Sequence, residues 1–278
     1  MGTPWLAEWI TDGSYQFREK RVSPVPMTFR RNLNVKKTLT RARIYATAMG
    51  IYDIYIDGKR VSDRYFAPGF TSYKHTLQYQ TYDVTDMLGG KNEVTFVVAG
   101  GWAVGSFVFT RKNRITADRQ ALLAEIRLDY EDGTSEVIGT DSRWSVTEGG
   151  NYLSADFYDG ETFDASADIN LNSWREASVE RLRVRPEIVA EYGSPVLAHE
   201  VMHPVSCTKR EDGELIFDFG QNFAGVIRAQ INGEKGQKII FRHSEILNGD
   251  GSLATQLLRS AKATATYICR QGAQPYSP

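Results

Sequence analysis

The clearest alternation of hydrophobic and polar positions lies between residues 121 and 131. Residues with small or hydrophobic side chains alternate there with charged ones: Ala124, Ile126, Leu128 and Tyr130 against Glu125, Arg127, Asp129 and Glu131. A period of two is typical of a strand with one buried and one solvated face. Asp132-Gly133 is a turn signal, and residues 135–138 form a second short β-favouring run. The pattern therefore predicts an antiparallel hairpin.

Short β-favouring runs separated by turn signals also fill residues 44–105. Asp57-Gly58 is a strong hairpin signal, because a tight primed turn needs positive φ, which Gly and Asp tolerate. Pro68-Gly69 marks another turn, and Asp83 is placed to accept a backbone N–H at the start of a helical turn. Residues 94–98 have the composition of a buried strand, and they run into Gly100-Gly101-Trp102.

The pattern contains no long amphipathic stretch and no internal repeat, so it predicts an all-β protein built of sandwiches. A chain of 278 residues is long enough for two domains. Pro186, Pro195 and Pro204 interrupt an extended stretch between residues 184 and 204, where we expect the boundary. We therefore predict a first sandwich over residues 1–188 and a second over residues 189–278.

Composition and charge exclude several classes of function. The formal net charge of -1 gives no electrostatic reason to expect nucleic acid or an anionic membrane as a partner. No apolar run approaches the roughly 20 residues that span a bilayer, and residues 1–10 lack the features of a signal peptide. We expect a cytoplasmic protein, or a secreted or periplasmic one if a signal has been trimmed. Cys207 and Cys269 are expected to be buried free thiols.

A long, ordered set of motifs resembles a known family. Residues 52–61 read Y-x-x-Y-I-D-G-x-x-V, and A-P-G-F-T-x-Y, Y-D-V-T-D and G-G-W follow in that order. This series resembles the N-terminal β-sandwich of bacterial α-L-rhamnosidases, glycoside hydrolase family 78. Asp57 and Phe70 stand where the family commonly has Asn and Trp. The run D-F-G-Q-N-F-A-G at residues 218–225, followed by R-H-S-E-I-L, resembles the second sandwich of the same enzymes.

The resemblance implies a fold and an activity. The fold would be a jelly-roll or galactose-binding-like sandwich followed by an incomplete concanavalin-like one. In the family, an (α/α)6 barrel follows and carries the catalytic carboxylates, which hydrolyse terminal α-L-rhamnose with inversion. Inverting geometry separates the two carboxyl groups by about 6.5–9.5 Å, which leaves room for a water molecule. Neither role can be assigned to a residue of this chain, and catalytic residues are expected beyond Pro278.

The expected function is therefore that of a non-catalytic N-terminal part of a rhamnosidase, structural and inactive alone, with rhamnosides as partners of the full-length enzyme. The alternative is a free-standing rhamnose-binding module. An unfinished sandwich would leave apolar surface and an unpaired strand edge, so we also expect a homo-oligomer.

Acidic residues cluster between residues 156 and 164 and give two site hypotheses. Oxygen ligands suit calcium, so one hypothesis is a calcium site formed by Asp156, Asp159, Glu161 and Asp164. The alternative is a turn with capping carboxylates, which Asp159-Gly160 favours. No other cofactor is expected. A sugar site is the second hypothesis, with Trp102, Asp159 and Glu161 as substrate-binding residues; for Trp102, a core position is the favoured interpretation.

Two further patterns admit alternatives. His199-Glu200-Val201-Met202-His203 matches the H-E-x-x-H zinc motif, which needs a helix to bring both histidines to one metal. Because Pro204 disfavours helical geometry at His203, we interpret the segment as an inter-domain linker. Asp218, Gln221 and Asn222 lie among phenylalanines and could face a sugar, but a buried hydrogen-bonded corner is the favoured interpretation.

Overall fold

The computed structural model describes residues 4–16, 22–107, 110–167 and 173–278. The regular secondary structure of these residues is almost entirely β, with one short helix, α1 (Gly101–Val104), and 3-10 turns at Thr85–Met87 and Thr255–Leu258. The strands of the first half are β1 (Ile10–Thr11), β2 (Met27–Val35), β3 (Leu39–Met49), β4 (Ile51–Ile56), β5 (Lys59–Arg60), β6 (Thr76–Asp83), β7 (Gly90–Ala99), β8 (Ala121–Tyr130), β9 (Ser135–Gly139) and β10 (Ser145–Glu148). Those that follow are β11 (Tyr152–Asp156), β12 (Gly160–Asp164), β13 (Arg175–Glu176), β14 (Ser178–Val179), β15 (Glu187–Ala190), β16 (Ser206–Lys209), β17 (Leu215–Asp218), β18 (Ala229–Gly233), β19 (Lys238–Arg242), β20 (Thr264–Ile268) and β21 (Gly272–Tyr276).

Two sheets form the first sandwich. One has the order β14-β1-β8-β3-β6-β15, with β9 also paired to β8, and the other has the order β13-β10-β2-β7-β4-β5. Their inner faces share one hydrophobic core, which includes Ile44 and Ile126 from the first sheet and Phe29 and Phe96 from the second. All of these side chains are completely buried. The all-β sandwich prediction is confirmed.

Strand β8 shows why the alternation was informative and where it failed. Ala124, Ile126 and Leu128 are buried in the core, and β9 pairs with β8 in the predicted antiparallel hairpin. Glu125, expected on the solvated face, is completely buried. The N-terminal segment covers it, because the amide nitrogens of Leu6 and Ala7 donate to its carboxylate. Arg127, two residues along the strand, forms an ion pair with the same carboxylate at 2.7 Å. The expectation for Glu125 was therefore wrong, since a neighbouring cation and a distant segment together supply the partners that a buried charge requires.

The turns predicted at Asp57-Gly58 and at Asp83 are present in the structure. Asp57 and Gly58 have φ values of 50° and 75°, and they join β4 to β5. The positive φ values at both positions are those of a primed hairpin turn. Asp83 accepts hydrogen bonds from the backbone and hydroxyl of Thr85 at the start of the first 3-10 turn.

A third sheet links distant parts of the chain. Its order is β11-β12-β20-β19, and β12 runs parallel to β20. Strand β15 pairs in parallel with β6 of the first sandwich, so the stretch predicted as an extended linker contains a strand of the first sheet. The division of the chain at residue 188 stays a prediction.

The strands between residues 206 and 242 are far more exposed than those of the first sandwich. Strands β16 and β17 form a separate two-stranded ribbon, in which Leu215 and Phe217 are 54% and 51% exposed. The corner at Asp218 was expected to be buried, but Asp218, Gln221 and Asn222 are exposed. That expectation was wrong, because no second layer packs on this ribbon within the described residues.

The prediction that both cysteines are buried is correct for only one of them. Both thiols are free, as expected, but only Cys269 is buried, and Cys207 on β16 is exposed. Among the described residues, no helix has the length and hydropathy needed to cross a bilayer.

Candidate functional site

Aromatic side chains from separate segments meet on one part of the surface, which we call the aromatic surface: Phe66, Phe70, Trp102, Phe107 and Phe157. The ring centroids of Trp102 and Phe157 are 4.6 Å apart. Phe70 lies 5.4 Å from Trp102 and 5.7 Å from Phe107, and Phe66 lies 5.4 Å from Phe157. These distances are those of favourable aromatic pairs. The rings therefore form one continuous cluster.

Glycine residues place Trp102 at this surface. Gly101 has a φ of 50°, and a Cβ atom there would lie 2.8 Å from the backbone nitrogen of Ile51. Helix α1 can therefore pack directly against the start of β4 only with glycine at this position. Ala103 and Val104 on the same turn are buried, whereas Trp102 is half-buried and lies outside both hydrophobic cores of the first sandwich. The core interpretation of Trp102 does not hold.

The remaining rings come from the loop after β5, from the segment after α1 and from the β11–β12 turn. Phe66 and Phe70 are 37% and 62% exposed, although the residues between them are largely covered. Tyr73 anchors this loop by donating its hydroxyl to the Gly69 carbonyl over 2.6 Å. Exposed aromatic rings held by buried neighbours present apolar faces to solvent, and such faces can stack on the C–H surface of a sugar.

Asp156 and Asp159 border the aromatic surface in different ways. Asp156 accepts hydrogen bonds from the backbone nitrogens of Ser106, Tyr158 and Asp159, over 2.8, 2.7 and 3.1 Å. It therefore fixes the β11–β12 turn, which carries Phe157, against the segment after α1. Asp159 instead forms ion pairs with Arg111 and with Lys262, the latter at 3.2 Å.

Glu161 lies in a separate polar cluster. Its carboxylate accepts a hydrogen bond from the hydroxyl of Tyr276 over 2.9 Å. Burial raises the pKa of Glu161 to about 7, against the lowering effect of the Tyr276 bond, and the charge of Asp53 raises it further. No contact among the described residues joins Glu161 to the aromatic surface. The structure thus brings Trp102 and Asp159 into one neighbourhood and places Glu161 in another.

The four carboxylates of the calcium hypothesis are bound to different partners. Asp164 accepts from the backbone and hydroxyl of Ser166, over 2.8 and 2.7 Å, as a turn-capping side chain does. Within residues 4–16, 22–107, 110–167 and 173–278, no group of three or more metal-ligating side chains comes together. Calcium binding by Asp156, Asp159, Glu161 and Asp164 stays a prediction that these contacts do not support.

The histidines of the zinc-like motif do not form a helical pair. Residues 197–204 have no helical structure, and both His199 and His203 are exposed. A zinc motif of this spacing needs both rings on one helix face. The interpretation as a connecting segment agrees with this geometry.

Sequence reasoning missed most of the aromatic surface. Phe66, Phe107 and Phe157 come from loops far apart in sequence, and no periodic pattern connects them. Lys262 lies about a hundred positions from Asp159, its ion-pair partner. The signal that was present is local: Phe70 follows Pro-Gly and is exposed, and Trp102 follows Gly-Gly and is half-buried.

Two family models match this chain in succession. The model of the α-L-rhamnosidase N-terminal domain matches residues 37–209. The model of the bacterial α-L-rhamnosidase concanavalin-like domain matches residues 208–277. The two matches follow the order that the sequence motifs indicated.

Relatives and solved structures agree with these matches. An α-L-rhamnosidase of Streptomyces avermitilis is 37% identical over 252 residues, covering 87% of this chain and 24% of its own length. The crystal structure of the S. avermitilis enzyme complexed with L-rhamnose has a TM-score of 0.86 and 35% identity, covering 92% of this chain and 26% of that one. An α-L-rhamnosidase from Aspergillus terreus has a TM-score of 0.89 and 31% identity, covering 98% and 32%. The chain thus spans about a quarter to a third of these proteins, and it belongs to the bacterial α-L-rhamnosidase family.

Proposed function

We propose that this chain is the non-catalytic N-terminal part of an α-L-rhamnosidase. One observation carries the proposal: the N-terminal and concanavalin-like family models match in succession and account for residues 37–277, whereas the chain spans only 24–32% of the relatives. The whole protein would hydrolyse terminal α-L-rhamnose from rhamnosides with inversion. The acid and base of such a reaction would lie outside these residues.

The chain would act as a support for the rest of such an enzyme. Large hydrophobic side chains are exposed throughout its last third: Tyr192, Val196, Val201, Val205, Leu215, Phe217, Phe223, Val226, Ile240, Ile246, Leu247 and Leu257. Extended apolar surface of this kind is uncommon on a soluble monomer and usually marks a contact surface. We propose that further layers of the enzyme cover it.

A turnover assay tests the proposal. The purified 278-residue protein is incubated with p-nitrophenyl α-L-rhamnoside, and release of p-nitrophenol is followed by absorbance. We expect no release above the rate in buffer. Robust turnover that scales with protein concentration and survives further purification would place the catalytic carboxylates within this chain and overturn the proposal.

The aromatic surface favours a second function, sugar binding. Exposed rings beside charged side chains are typical of sites that bind carbohydrate through stacking and polar contacts. Trp102 would form the stacking platform, with Asp159 at its edge. Titration calorimetry with methyl α-L-rhamnoside tests this directly: Trp102→Ala should abolish the heat of binding, whereas Phe217→Ala, an exposed ring elsewhere, should leave it unchanged.

Self-association of this chain is a further proposal. The β16–β17 ribbon presents unpaired backbone groups and apolar side chains, and such edges pair readily with another copy. Light scattering should report a mass above that of the 31.3 kDa monomer. A monodisperse monomer at working concentration would contradict this part. A cytoplasmic location stays a prediction.

A further inference from the structure

The β18–β21 ribbon covers part of the third sheet. Strands β18 and β21 pair with each other and with no other strand of the part of the chain that the structure describes. Tyr276 of β21 is buried, and its ring centroid lies 4.4 Å from that of Tyr267 on β20. Gly233 of β18 lies so close to Cys269 that an added Cβ would be 2.6 Å from the Cys269 Sγ atom. The ribbon therefore contributes to the burial of this thiol, which is completely covered.

The same ribbon contacts a partly buried polar group, which we call the Glu161 cluster. The Tyr276 hydroxyl donates to the Glu161 carboxylate over 2.9 Å, so Glu161 of β12 lies against β21. Strand β20, which pairs with β12, places the uncharged Ala265 beside Glu161. The titratable and charged members of the cluster come from neighbouring strands: Asp53 and Tyr55 of β4, Arg60 of β5, Tyr152 of β11 and Tyr276 of β21. The first sandwich and the ribbon therefore meet at this cluster.

The charge balance of the Glu161 cluster depends on one proton. Asp53 and Arg60 form an ion pair at 2.8 Å, so their charges cancel while Glu161 is protonated. Loss of the proton leaves a net negative charge in a partly buried place. Burial is the main cause that raises the pKa of Glu161 to about 7, the charge of Asp53 adds to it, and the Tyr276 hydrogen bond opposes it. Lifting the ribbon would admit water to the carboxylate and return its pKa toward 4.5, so deprotonation favours an open ribbon.

We propose that the β18–β21 ribbon is a proton-controlled cover, which is closed while Glu161 is protonated and opens locally as Glu161 loses its proton. The closed state binds the proton more tightly than the open state. Its advantage is therefore complete below the pKa of Glu161 in the open state and is lost as pH rises through the pKa in the closed state. Opening exposes Cys269 together with Glu161, because both lie against the ribbon.

The open fraction can be measured through Cys269, because a buried thiol reacts only when it is uncovered. Cys207 is exposed, and Cys207→Ser leaves Cys269 as the sole thiol of the chain. A small maleimide is added, and labelling is followed by mass spectrometry. The rate in the folded protein is divided by the rate of the same protein unfolded in urea at the same pH, which removes the pH dependence of the thiol itself. We expect this ratio to rise about thirtyfold between pH 5.5 and 8, given a pKa of Glu161 near 4.5 in the open state and about 7 in the closed state.

Variants of the Glu161 cluster should change the shape of this pH profile in different directions. Glu161→Gln should make the ratio independent of pH. Asp53→Asn should give a smaller rise that ends at lower pH, because the charge of Asp53 raises the pKa of Glu161, whereas Tyr276→Phe should give a larger rise, because its hydroxyl lowers that pKa. Glu136→Gln is the matched control and should keep the profile, since Glu136 accepts a hydrogen bond from a tyrosine but is exposed. A merely structural role would multiply labelling by one constant factor at every pH.

Low concentrations of urea separate local opening from global unfolding. Opening of a two-stranded ribbon exposes little surface, so labelling of Cys269 should depend only weakly on urea. A rise with pH that is absent in Glu161→Gln, together with weak urea dependence, supports the inference. A ratio that does not change with pH in the parent protein overturns it, as does an equal rise in Glu161→Gln. Labelling that accelerates with urea as steeply as global unfolding also overturns it, because Cys269 would then be reached only through the unfolded state.

Discussion

The first sandwich and the strands between residues 206 and 242 are built from similar sequence patterns, but they differ in how much of their apolar surface is covered by other strands. In the first sandwich, two sheets enclose side chains such as Phe96 and Ile126, which are completely buried. In the later region, Leu215 and Ile240 occupy strands of similar composition and are 54% and 58% exposed. Alternation alone therefore specifies strands, whereas burial requires a second layer that faces them.

The difference also explains where each region obtains its stability. The long β3–β8 and β2–β7 ladders pair along most of their length, and their inner faces share one core. The β16–β17 ribbon pairs over a few residues only. Because an isolated two-stranded ribbon is marginally stable, we expect it to contribute little to the stability of this chain.

The largest expected effect comes from removing a core ring. Phe96 packs 5.8 Å from Trp144 and is completely buried. Phe96→Ala should lower the free energy of unfolding by about 3–5 kcal/mol, because a large cavity forms. Phe217→Ala, the same change on β17, should alter it by about 0.5 kcal/mol or less. Urea unfolding measures both, and equal losses would mean that the two regions do not differ as described.

A smaller change in stability should depend on pH, through Glu161 of β12, which accepts a hydrogen bond from Tyr276 of β21. The pKa of Glu161 rises from 4.5 to about 7 on folding, so the folded state binds the proton more tightly. The resulting stability is fully present below the unfolded pKa and is lost as pH rises through the folded pKa. The wild type should therefore lose up to about 3 kcal/mol relative to Glu161→Gln between pH 4.5 and 8.

The groups facing Glu161 include Tyr276 on β21, Asp53 and Tyr55 on β4, and Tyr152 on β11. Glu136→Gln is the matched control, since Glu136 also accepts a hydrogen bond from a tyrosine, Tyr130, but is exposed. Urea titrations across this pH range check the prediction. Parallel pH profiles for wild type and Glu161→Gln would refute the assignment of a buried, protonated Glu161.

The next effect in size concerns the turn that positions Trp102. Gly101→Ala should destabilise the protein by about 2 kcal/mol or more, because positive φ is unfavourable for alanine and the added Cβ meets backbone atoms. Gly133→Ala is the control, because Gly133 has a φ of 80° but an added Cβ would have no atom within 4 Å. The loss of stability there measures the cost of positive φ alone, which we expect to be about 1 kcal/mol. Equal losses at the two positions would show that the contact with β4 is unimportant.

Much of the fold could be predicted because its signals are local. Asp57-Gly58 and Asp132-Gly133 fixed their hairpins, and the alternation at residues 124–130 identified the inner face of β8. Glu125 was assigned wrongly because the segment that covers it, which includes Leu6 and Ala7, lies more than a hundred residues away, although its ion-pair partner Arg127 is local. The exposed corner at Asp218 was assigned wrongly for the converse reason, since local polarity does not reveal whether a covering layer is present.

The candidate site was harder to predict than the fold. Trp102 and Asp159 could be named from residue type, but their proximity depends on the β11–β12 turn packing beside α1. Strand β12 pairs in parallel with β20, although about a hundred positions separate them in sequence. Asp159 lies just before β12 and Lys262 lies just before β20, so this pairing brings the two side chains together. Such long-range pairings leave no periodic signal in either segment.

Hydrogen exchange read by mass spectrometry tests the central claim most directly, namely that the first sandwich is closed while the β16–β17 ribbon presents an uncovered surface. Amides in β7 and β8 should exchange slowly, at rates set by global unfolding, and amides in β16 and β17 should exchange much faster through local opening. Protection of the β16–β17 ribbon equal to that of β7 and β8 would contradict the account.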